Sequence, residues 1–384
     1  MNNHPVIRWV EADQEKSARW RSESGTPPPK RVVIADDRMT ADTAYRLACE
    51  GTALLWRGDF QNARQLLQAM TRRASEKPRE RKNKKIPATP TEAFHLHRLA
   101  QSQRARTLGL LLIPFNADHS IPLRRAPDVH QACAEAYGLE TEVQPYIASL
   151  RGLQGIIGTY EWRKNGVEIP PLGARIHPHY GVFAPIRSEY IGLVNDAPLP
   201  KLTCTHSVAF DIGTGTGVIA AVLARRGIKR TTATDQDQRA LACARENIAR
   251  LNLTAQVEVV QADLFPEGRA SLIVCNPPWI PARPSSPLEH AIFDPESRML
   301  LGFLNGLAAH LESGGEGWLI LSDLAEHLGL RSRAELLAAI DAVGLTVLGR
   351  IDVKPHHPRV SDTSDPLHAA RAAELTSLWR LTAK

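Results

Sequence analysis

The chain has 384 residues, of which 43% are hydrophobic and 23% charged, and its formal net charge at pH 7 is +6. This length and composition predict a globular protein with an ample core, divided into about two domains. The N terminus lacks a basic segment followed by an apolar one, and no apolar run has the length of a membrane span. We therefore expect a cytoplasmic protein with no membrane partner.

The positive charge is concentrated in the N-terminal part. Residues 1–110 carry 21 Lys and Arg against 12 Asp and Glu, whereas residues 111–384 carry 26 against 29. The densest basic run spans residues 72–85 and is followed by prolines, which predicts a flexible linker near residues 72–90. Such a run can bind nucleic-acid phosphates or can simply be solvated, and the sequence favours neither role.

The N-terminal part of the chain is expected to comprise a partly extended segment and a mainly helical domain. Residues 1–38 should be partly extended, since three consecutive prolines at 27–29 interrupt any regular element. Helical spacing of apolar residues then follows in three stretches, residues 42–69, 90–112 and 129–137. We predict that residues 39–170 form a mainly helical auxiliary or substrate-recognition domain.

Cysteine and histidine usage points away from disulfides and metals. The five cysteines, at positions 49, 133, 204, 243 and 275, form no CxxC pair and are expected to be reduced and mostly buried. The pairs His177/His179 and His356/His357 have no acidic or cysteine partner at ligand spacing. We therefore predict no metal site.

A glycine-rich turn follows the first strand expected in the C-terminal half. Residues 207–212 read as a buried strand that ends after Asp211, and residues 218–226 read as a helix. Between them, Gly213, Gly215 and Gly217 allow backbone amides to approach a ligand closely, as at the helix N terminus of dinucleotide-binding folds. The alternative is a glycine-rich connection that only packs strand against helix.

Acidic residues follow the next two expected strands. Asp235 ends the strand at 230–234, where a carboxylate can bind ribose hydroxyls, although it could also cap the following helix. We assign ligand binding to Asp235 and capping to Asp237. After the strand at 257–261, Asp263 could accept from an adenine amine while Leu264 covers the ring. An exposed loop acid is the alternative for Asp263.

Asn276, Pro277, Pro278 and Trp279 close the apolar run at 272–275. The Asn carboxamide oxygen and the Pro277 carbonyl make two acceptors, and the prolines fix the backbone that carries them. Such a pair suits a planar amino group, whose nitrogen lone pair would turn toward an electrophile when both N–H bonds are held. The Trp279 ring offers a face on which a flat group can stack. Together with the glycine turn, this motif predicts methyl transfer to nitrogen.

These features come in order on successive strand ends, where ligands bind in open parallel sheets. The remaining elements expected are helices at 295–311 and 331–343 and strands at 317–322, 346–351 and 377–382. The proline- and serine-rich stretch at 280–297 is expected to be a loop over the acceptor pocket.

The stretch from about residue 175 to 384 resembles the class I S-adenosylmethionine-dependent methyltransferases that carry an Asn-Pro-Pro-aromatic motif, although many of those have Tyr or Phe in place of Trp279. That subgroup includes bacterial release-factor glutamine methyltransferases and several RNA and DNA amino-methyltransferases. The resemblance implies an α/β fold at 171–384: a Rossmann-like sheet of seven strands, the last antiparallel, with helices on both faces. It implies S-adenosyl-L-methionine as cofactor. The site residues it implies are Asp211, Gly213, Gly215 and Gly217 for the methionine end, Asp235 for ribose, Asp263 and Leu264 for adenine, and Asn276, Pro277, Pro278 and Trp279 for the acceptor.

The acceptor itself is less well determined than the reaction. The basic N-terminal part favours a nucleobase amine on RNA, whereas residues 176–186 resemble the pocket wall of the glutamine methyltransferases, which favours a glutamine amide on a protein such as a release factor. We expect RNA, with the protein substrate as the alternative. An NAD-dependent oxidoreductase and a non-catalytic nucleic-acid-binding protein are rivals of other classes, but neither explains the motif at 276–279. The sequence does not predict the oligomeric state.

Overall fold

The protein is described here by a computed structural model that covers residues 4–75, 87–138, 144–201, 207–284, 289, 291–356 and 362–384. Most of the basic run, at residues 76–86, lies outside these residues, as do Cys204 and His357. The chain forms two compact units, of which the first comprises residues 1–86 and 96–161 and the second residues 87–95 and 162–384. None of the helices within the described ranges is both long and apolar enough to cross a membrane.

The first unit contains a six-stranded sheet in the order β1-β2-β6-β5-β4-β3, in which β3, β4 and β5 run parallel. Its strands are β1 (Val6–Glu11), β2 (Gln14–Arg21), β3 (Arg31–Ala35), β4 (Thr52–Trp56), β5 (Leu111–Phe115) and β6 (Tyr146–Ser149). The helices that contribute to it are α1 (Ala41–Cys49), α2 (Phe60–Ser75), α3 (Pro90–Leu108) from residue 96 onward, α4 (His130–Tyr137) and α5 (Leu150–Asn165) up to residue 161.

This sheet corrects the expectation of a mainly helical domain at residues 39–170. Leu54 and Leu55, which fall inside an apparently helical stretch, lie in β4, and all five residues of that strand are buried. The apolar run at 108–112 likewise divides between the end of α3 and the fully buried β5. Strands buried on both faces have no alternating pattern, so their sequences cannot be distinguished from short buried helices by periodicity.

The second unit contains a seven-stranded sheet in the order β11-β10-β9-β12-β13-β15-β14. The last strand of the chain, β15, is antiparallel to both of its neighbours, and the other pairs are parallel. This sheet confirms the expected Rossmann-like fold of seven strands with an antiparallel last strand. Its strands are β9 (Val208–Ile212), β10 (Arg230–Asp235), β11 (Val257–Gln261), β12 (Ala270–Cys275), β13 (Leu311–Ser322), β14 (Leu345–Val353) and β15 (Thr376–Ala383).

Helices cover both faces of this sheet, because successive residues of its central strands point to opposite sides. Val274 packs in a cluster with residues of α6 (Glu189–Asp196), α7 (Val218–Arg225) and α8 (Gln238–Arg250), while its neighbour Ile273 packs in another with α9 (Arg298–His310) and α11 (Arg333–Ala342). The remaining elements are a hairpin of β7 (Val167–Ile169) and β8 (Ala174–Ile176) and the short helices α10 (Leu324–His327) and α12 (His368–Ala373).

The strand order places two loops side by side. From β9 the chain builds outward to β10 and β11, then returns to add β12 on the other side of β9. Cys275 at the end of β12 is paired with Ile212 at the end of β9. Asn276 and Gly213 therefore leave the sheet from adjacent positions at its carboxyl edge, which is where open α/β sheets bind their ligands.

Candidate functional site

The loop after β9, residues 213–217, is called the glycine loop here, and its backbone has the left-handed conformation that favours glycine. Gly213, Gly215 and Gly217 have φ angles of 72°, 55° and 81°, in the left-handed region that glycine adopts without strain. A Cβ atom at Gly213 would overlap the methyl group of Met299, whereas one at Gly215 would meet no heavy atom within 4 Å. The loop is thus closely packed at its first glycine and leaves space beside its second.

Asp211 supports this loop from beneath. Its side chain is buried, and Oδ2 accepts hydrogen bonds from the Thr214 hydroxyl at 2.6 Å and from the Ala220 amide at 3.0 Å. The other oxygen, Oδ1, is buried without a protein partner. Burial raises the pKa of Asp211 to about 7, against the lowering effect of those two hydrogen bonds. Asp211 therefore stabilises the glycine loop through hydrogen bonds to Thr214 and to the start of α7.

Asp235 and Asp237 make different contacts, and Asp237 is the helix cap that the sequence predicted. The Asp237 side chain accepts from the Arg239 amide at 2.8 Å and caps α8. Asp235, at the end of β10, accepts from the Gly215 amide at 3.0 Å and from the Asp237 amide at 3.0 Å. Burial raises the pKa of Asp235. This partly buried carboxylate lies beside the glycine loop, and its role in binding ribose stays a prediction.

Asp263 and Leu264 lie beyond the end of β11, the neighbour of β10. Asp263 is exposed and makes a 3.5 Å ion pair with the exposed Arg298. Leu264 has a φ of 74°, and its carbonyl accepts from the Thr234 hydroxyl at 2.6 Å. That bond ties the loop after β11 to β10, so Asp263 and Leu264 follow the same sheet edge as Asp235.

The acceptor motif contains a contact that the sequence did not reveal. The indole nitrogen Nε1 of Trp279 donates a hydrogen bond to the Asn276 carboxamide oxygen, with a separation of 2.9 Å. Pro277 is buried, while Asn276, Pro278 and Trp279 are partly exposed. A carbonyl oxygen has two lone pairs, so Asn276 can still accept one further hydrogen bond.

Two arginines hold Trp279. The Arg187 guanidinium lies 5.6 Å from the centre of the Trp279 ring, and Arg331 donates to the Trp279 carbonyl at 3.4 Å. Arg187 is itself held by Glu189 and by the buried Glu374, at 3.1 and 3.2 Å. Sequence reasoning missed these residues, because Arg187 and Arg331 lie 92 and 52 positions from Trp279 along the chain.

The loop that follows the motif is closed at its base. Ile280 donates its amide to the Ile292 carbonyl at 3.2 Å and accepts from the Asp294 amide at 2.9 Å. The Asp294 carboxylate accepts from the amides of Met299 and Leu300, at the start of α9. We call this pairing of Ile280 with residues 292–294 the loop base. It connects the acceptor motif to the same helix that packs Met299 against Gly213.

Residues 176–186, which were expected to line the pocket and are called the wall segment here, are joined to α8 by Asn247. The Asn247 side chain accepts from the His177 amide at 2.8 Å and donates to the carbonyls of His177 and Thr216, at 3.2 and 3.1 Å. It is buried and joins the wall segment to the glycine loop. A polar residue among Ala244, Ile248 and Leu251 on the apolar side of a helix was the available signal.

The two histidines of this segment make structural contacts. His177 Nδ1 lies 2.6 Å from the Arg163 carbonyl, and His179 Nε2 lies 2.8 Å from the Glu246 carboxylate. Across the described ranges, no three His, Cys, Asp or Glu side chains are grouped so that they could hold a metal ion.

The residues present fit an adenosyl cofactor. Left-handed glycines with free space at Gly215, and a carboxylate at Asp235, are what a ligand with ribose hydroxyls and a charged amino-acid end requires. Beneath the same loop, Oδ1 of Asp211 is a buried oxygen without a hydrogen-bond partner in the protein. The methionine-, ribose- and adenine-binding positions expected from the sequence thus follow β9, β10 and β11 in that order.

Comparison with known proteins finds similarity to methyltransferases. Residues 176–333 match the family model described as Methyltransferase small domain. A release factor glutamine methyltransferase from Caulobacter vibrioides is 32% identical over 41% of this chain and 58% of its own length. One from Gloeobacter violaceus is 31% identical over 46% of this chain and 57% of its own. The crystal structure of a methyltransferase from Pyrococcus furiosus aligns with 60% of this chain and 98% of that one, at 21% identity and a TM-score of 0.39. The chain spans less than two thirds of the length of the two curated relatives.

Proposed function

We propose that this chain, whose residues 176–333 belong to the methyltransferase small domain family, is an S-adenosyl-L-methionine-dependent N-methyltransferase that methylates a glutamine side-chain amide in a protein such as a release factor. The observation that carries the proposal is the adjacency of the glycine loop and the Asn276 motif at the ends of the paired strands β9 and β12. In this proposal the cofactor-binding loop and the residues that bind a planar amide lie next to each other at the ends of these two strands.

In this proposal each site residue has a defined task. Gly213, Gly215 and Gly217 receive the methionine end of the cofactor, over Asp211, and Asp235 binds the ribose. Asp263 and Leu264 contact the adenine. When bound, S-adenosyl-L-methionine supplies an electrophilic methyl group on a positively charged sulfur.

The acceptor motif prepares the nitrogen. The Asn276 oxygen and the Pro277 carbonyl accept hydrogen bonds from the two N–H groups of the substrate amide. These hydrogen bonds orient the NH2 group so that the nitrogen lone pair is withdrawn from conjugation. Trp279 restricts the rotation of the bound group by stacking. Both oxygens also stabilise the positive charge that develops on nitrogen as the new C–N bond forms. The product nitrogen is acidic and loses its proton afterwards, so an Asn, which does not titrate, suffices.

Two observations favour a protein over RNA. The relatives from Caulobacter vibrioides and Gloeobacter violaceus are each named as a release factor glutamine methyltransferase. In addition, several arginines of the basic first unit are engaged in ion pairs there. These pairs are Arg57–Glu11, Arg73–Asp42, Arg124–Asp59 and Arg125–Asp59. An arginine that already pairs with a carboxylate contributes less to phosphate binding.

The remaining expectations belong to the same proposal. We assign substrate recognition to the first unit, and we place the enzyme in the cytoplasm, since Cys49, Cys133, Cys243 and Cys275 are free thiols as in a reducing compartment. The nicotinamide-dependent alternative is not retained, because it leaves the motif at 276–279 without a task.

The test uses cofactor labelled in its methyl group and a cell extract. Label in a glutamine amide is lost with protease, resists nuclease, and is released as methylamine on alkaline hydrolysis. Label on a nucleobase amine is nuclease-sensitive and stays with the nucleoside, which would establish RNA as the substrate instead. The Asn276→Ala variant serves as the control for background labelling.

A further inference from the structure

We propose that the indole N–H of Trp279 is a positioning group: it fixes the Asn276 carboxamide with its oxygen, rather than its NH2, available to the acceptor nitrogen. This inference rests on the proposed N-methyl transfer and assigns a task to the indole N–H of Trp279, a donor that Tyr and Phe do not have at this position. Trp279 Nε1 and Asn276 Oδ1 are 2.9 Å apart.

The chemistry of the two side chains determines the orientation. An indole nitrogen is only a donor, whereas a carboxamide presents an acceptor at one end and donors at the other. Turning the Asn276 amide over would place its NH2 against the Trp279 N–H and lose the hydrogen bond. A bond of this kind shifts such an equilibrium by about tenfold. The oxygen that remains oriented has a second lone pair, which is free to accept an N–H of the substrate amide.

The surroundings keep the indole in place when a substrate enters. Arg187 lies over the ring, and Arg331 binds the backbone carbonyl of the same residue. The next residue, Ile280, is buried and belongs to the loop base. Because the ring, the carbonyl and the following residue are each held separately, the N–H bond to Asn276 is retained during the reaction.

Neither of the usual aromatic replacements can supply this donor. Phe has no polar atom, and the Tyr hydroxyl stands at the far end of its ring rather than at the position of the indole nitrogen. An enzyme with Tyr or Phe here must orient its Asn by other contacts. In this chain the stacking surface and the orienting donor are provided by a single side chain.

The decisive variant removes the N–H and keeps the ring. Site-specific replacement of Trp279 by 3-benzothienylalanine, which has sulfur in place of the N–H, should lower kcat for methyl transfer about tenfold. Cofactor affinity, measured by calorimetry, should be unchanged. Trp9→3-benzothienylalanine is the matched control, because Trp9 Nε1 donates to Glu11 at 3.0 Å in the first unit. It should retain wild-type turnover.

A second measurement does not depend on activity. The indole proton resonance of Trp279, assigned by its absence from the benzothienyl variant, should remain protected from solvent exchange when a glutamine peptide and S-adenosylhomocysteine are added. Wild-type kcat in the variant, or loss of protection on peptide binding, would overturn the inference. If the wild-type enzyme labels RNA rather than protein, the proposed substrate is wrong, and the comparison of variant with wild type on that RNA tests the N–H separately.

Discussion

The amide of Gly215 donates to the carboxylate of Asp235 at 3.0 Å, which joins the loop after β9 to the end of β10. The residue assigned to the ribose therefore also shapes the loop assigned to the methionine end. A change at one of these two positions is expected to affect both halves of the cofactor site, and this coupling is the basis of the first prediction.

Asp235→Ala should weaken binding of S-adenosylmethionine at least tenfold in calorimetry, because it removes the ribose acceptor and releases the Gly215 amide. Asp237→Ala is the matched control two residues away. It removes a helix cap and should cost about 1 kcal/mol of stability in denaturant unfolding, with cofactor affinity preserved. Equal affinities of the Asp235 variant and the wild type would show that Asp235 has no part in the cofactor site.

Asn276→Ala should abolish most turnover while cofactor affinity stays near the wild-type value, because the variant lacks the acceptor oxygen for the substrate nitrogen. We expect kcat to fall by at least 100-fold, as for the loss of one transition-state hydrogen bond in other enzymes. Asn305→Ala, on the exposed side of α9, is the control and should be fully active. Undiminished turnover in the Asn276 variant would exclude the assigned role.

Asp211 should make the stability of the protein depend on pH. Its pKa is raised to about 7 by burial, above the usual value of 3.8. Between these values the unfolded chain releases a proton that the folded chain retains, so the free energy of unfolding falls as pH rises through this window and levels off above about pH 7. A shift of this size corresponds to about 4 kcal/mol.

The Asp211→Asn variant should lack this pH-dependent part of the unfolding free energy, since Asn can accept the same two hydrogen bonds without a charge. Urea unfolding of both proteins from pH 4 to pH 8 measures it. The difference in unfolding free energy between the variant and the wild type should shift in favour of the variant across this range. Parallel curves for the two proteins would mean that Asp211 titrates normally.

Asn247→Leu should destabilise the fold by about 2–3 kcal/mol, because it removes the side-chain partner of the partly buried His177 amide and of the Thr216 carbonyl. It should also weaken cofactor binding, since Thr216 belongs to the glycine loop. Chemical unfolding and calorimetry measure the two effects. Asn305→Leu makes the same exchange on an exposed helix surface and should change stability by less than about 0.5 kcal/mol. A stability loss without a change in affinity would separate the wall segment from the cofactor site.

The first four strands of the sheet in the second unit could be predicted from the sequence, because each is a short run with apolar or β-branched residues that glycine, Asp or Asn ends or closely follows. The strand predicted at residues 257–261 has the same bounds in the structure, and the final antiparallel strand confirms the family's implication. In the first unit, β4 and β5 are buried throughout, so their sequences carry no period that separates strand from helix.

The candidate site divides in the same way. Gly213, Asp235 and Asn276 could be predicted as candidates because each directly follows or ends a strand. Asn247 and Arg187 could not, because their partners lie far along the chain: Asn247 binds His177, which is 70 positions away. Such contacts follow from the packing of helices and loops on the sheet. For Asn247 the local pattern marks a polar residue on the apolar side of α8, but it does not reveal the partner.

The loop base has an evolutionary consequence. Because the backbone of Ile280 is hydrogen-bonded to that of Ile292 and Asp294, we expect a duplication, deletion or transfer of the intervening stretch to leave the sheet and the motif at 276–279 in place. We therefore expect relatives of this chain to vary in this stretch more freely than in the sheet around it. Chimeras with crossovers at these two isoleucines should fold with the parental sheet.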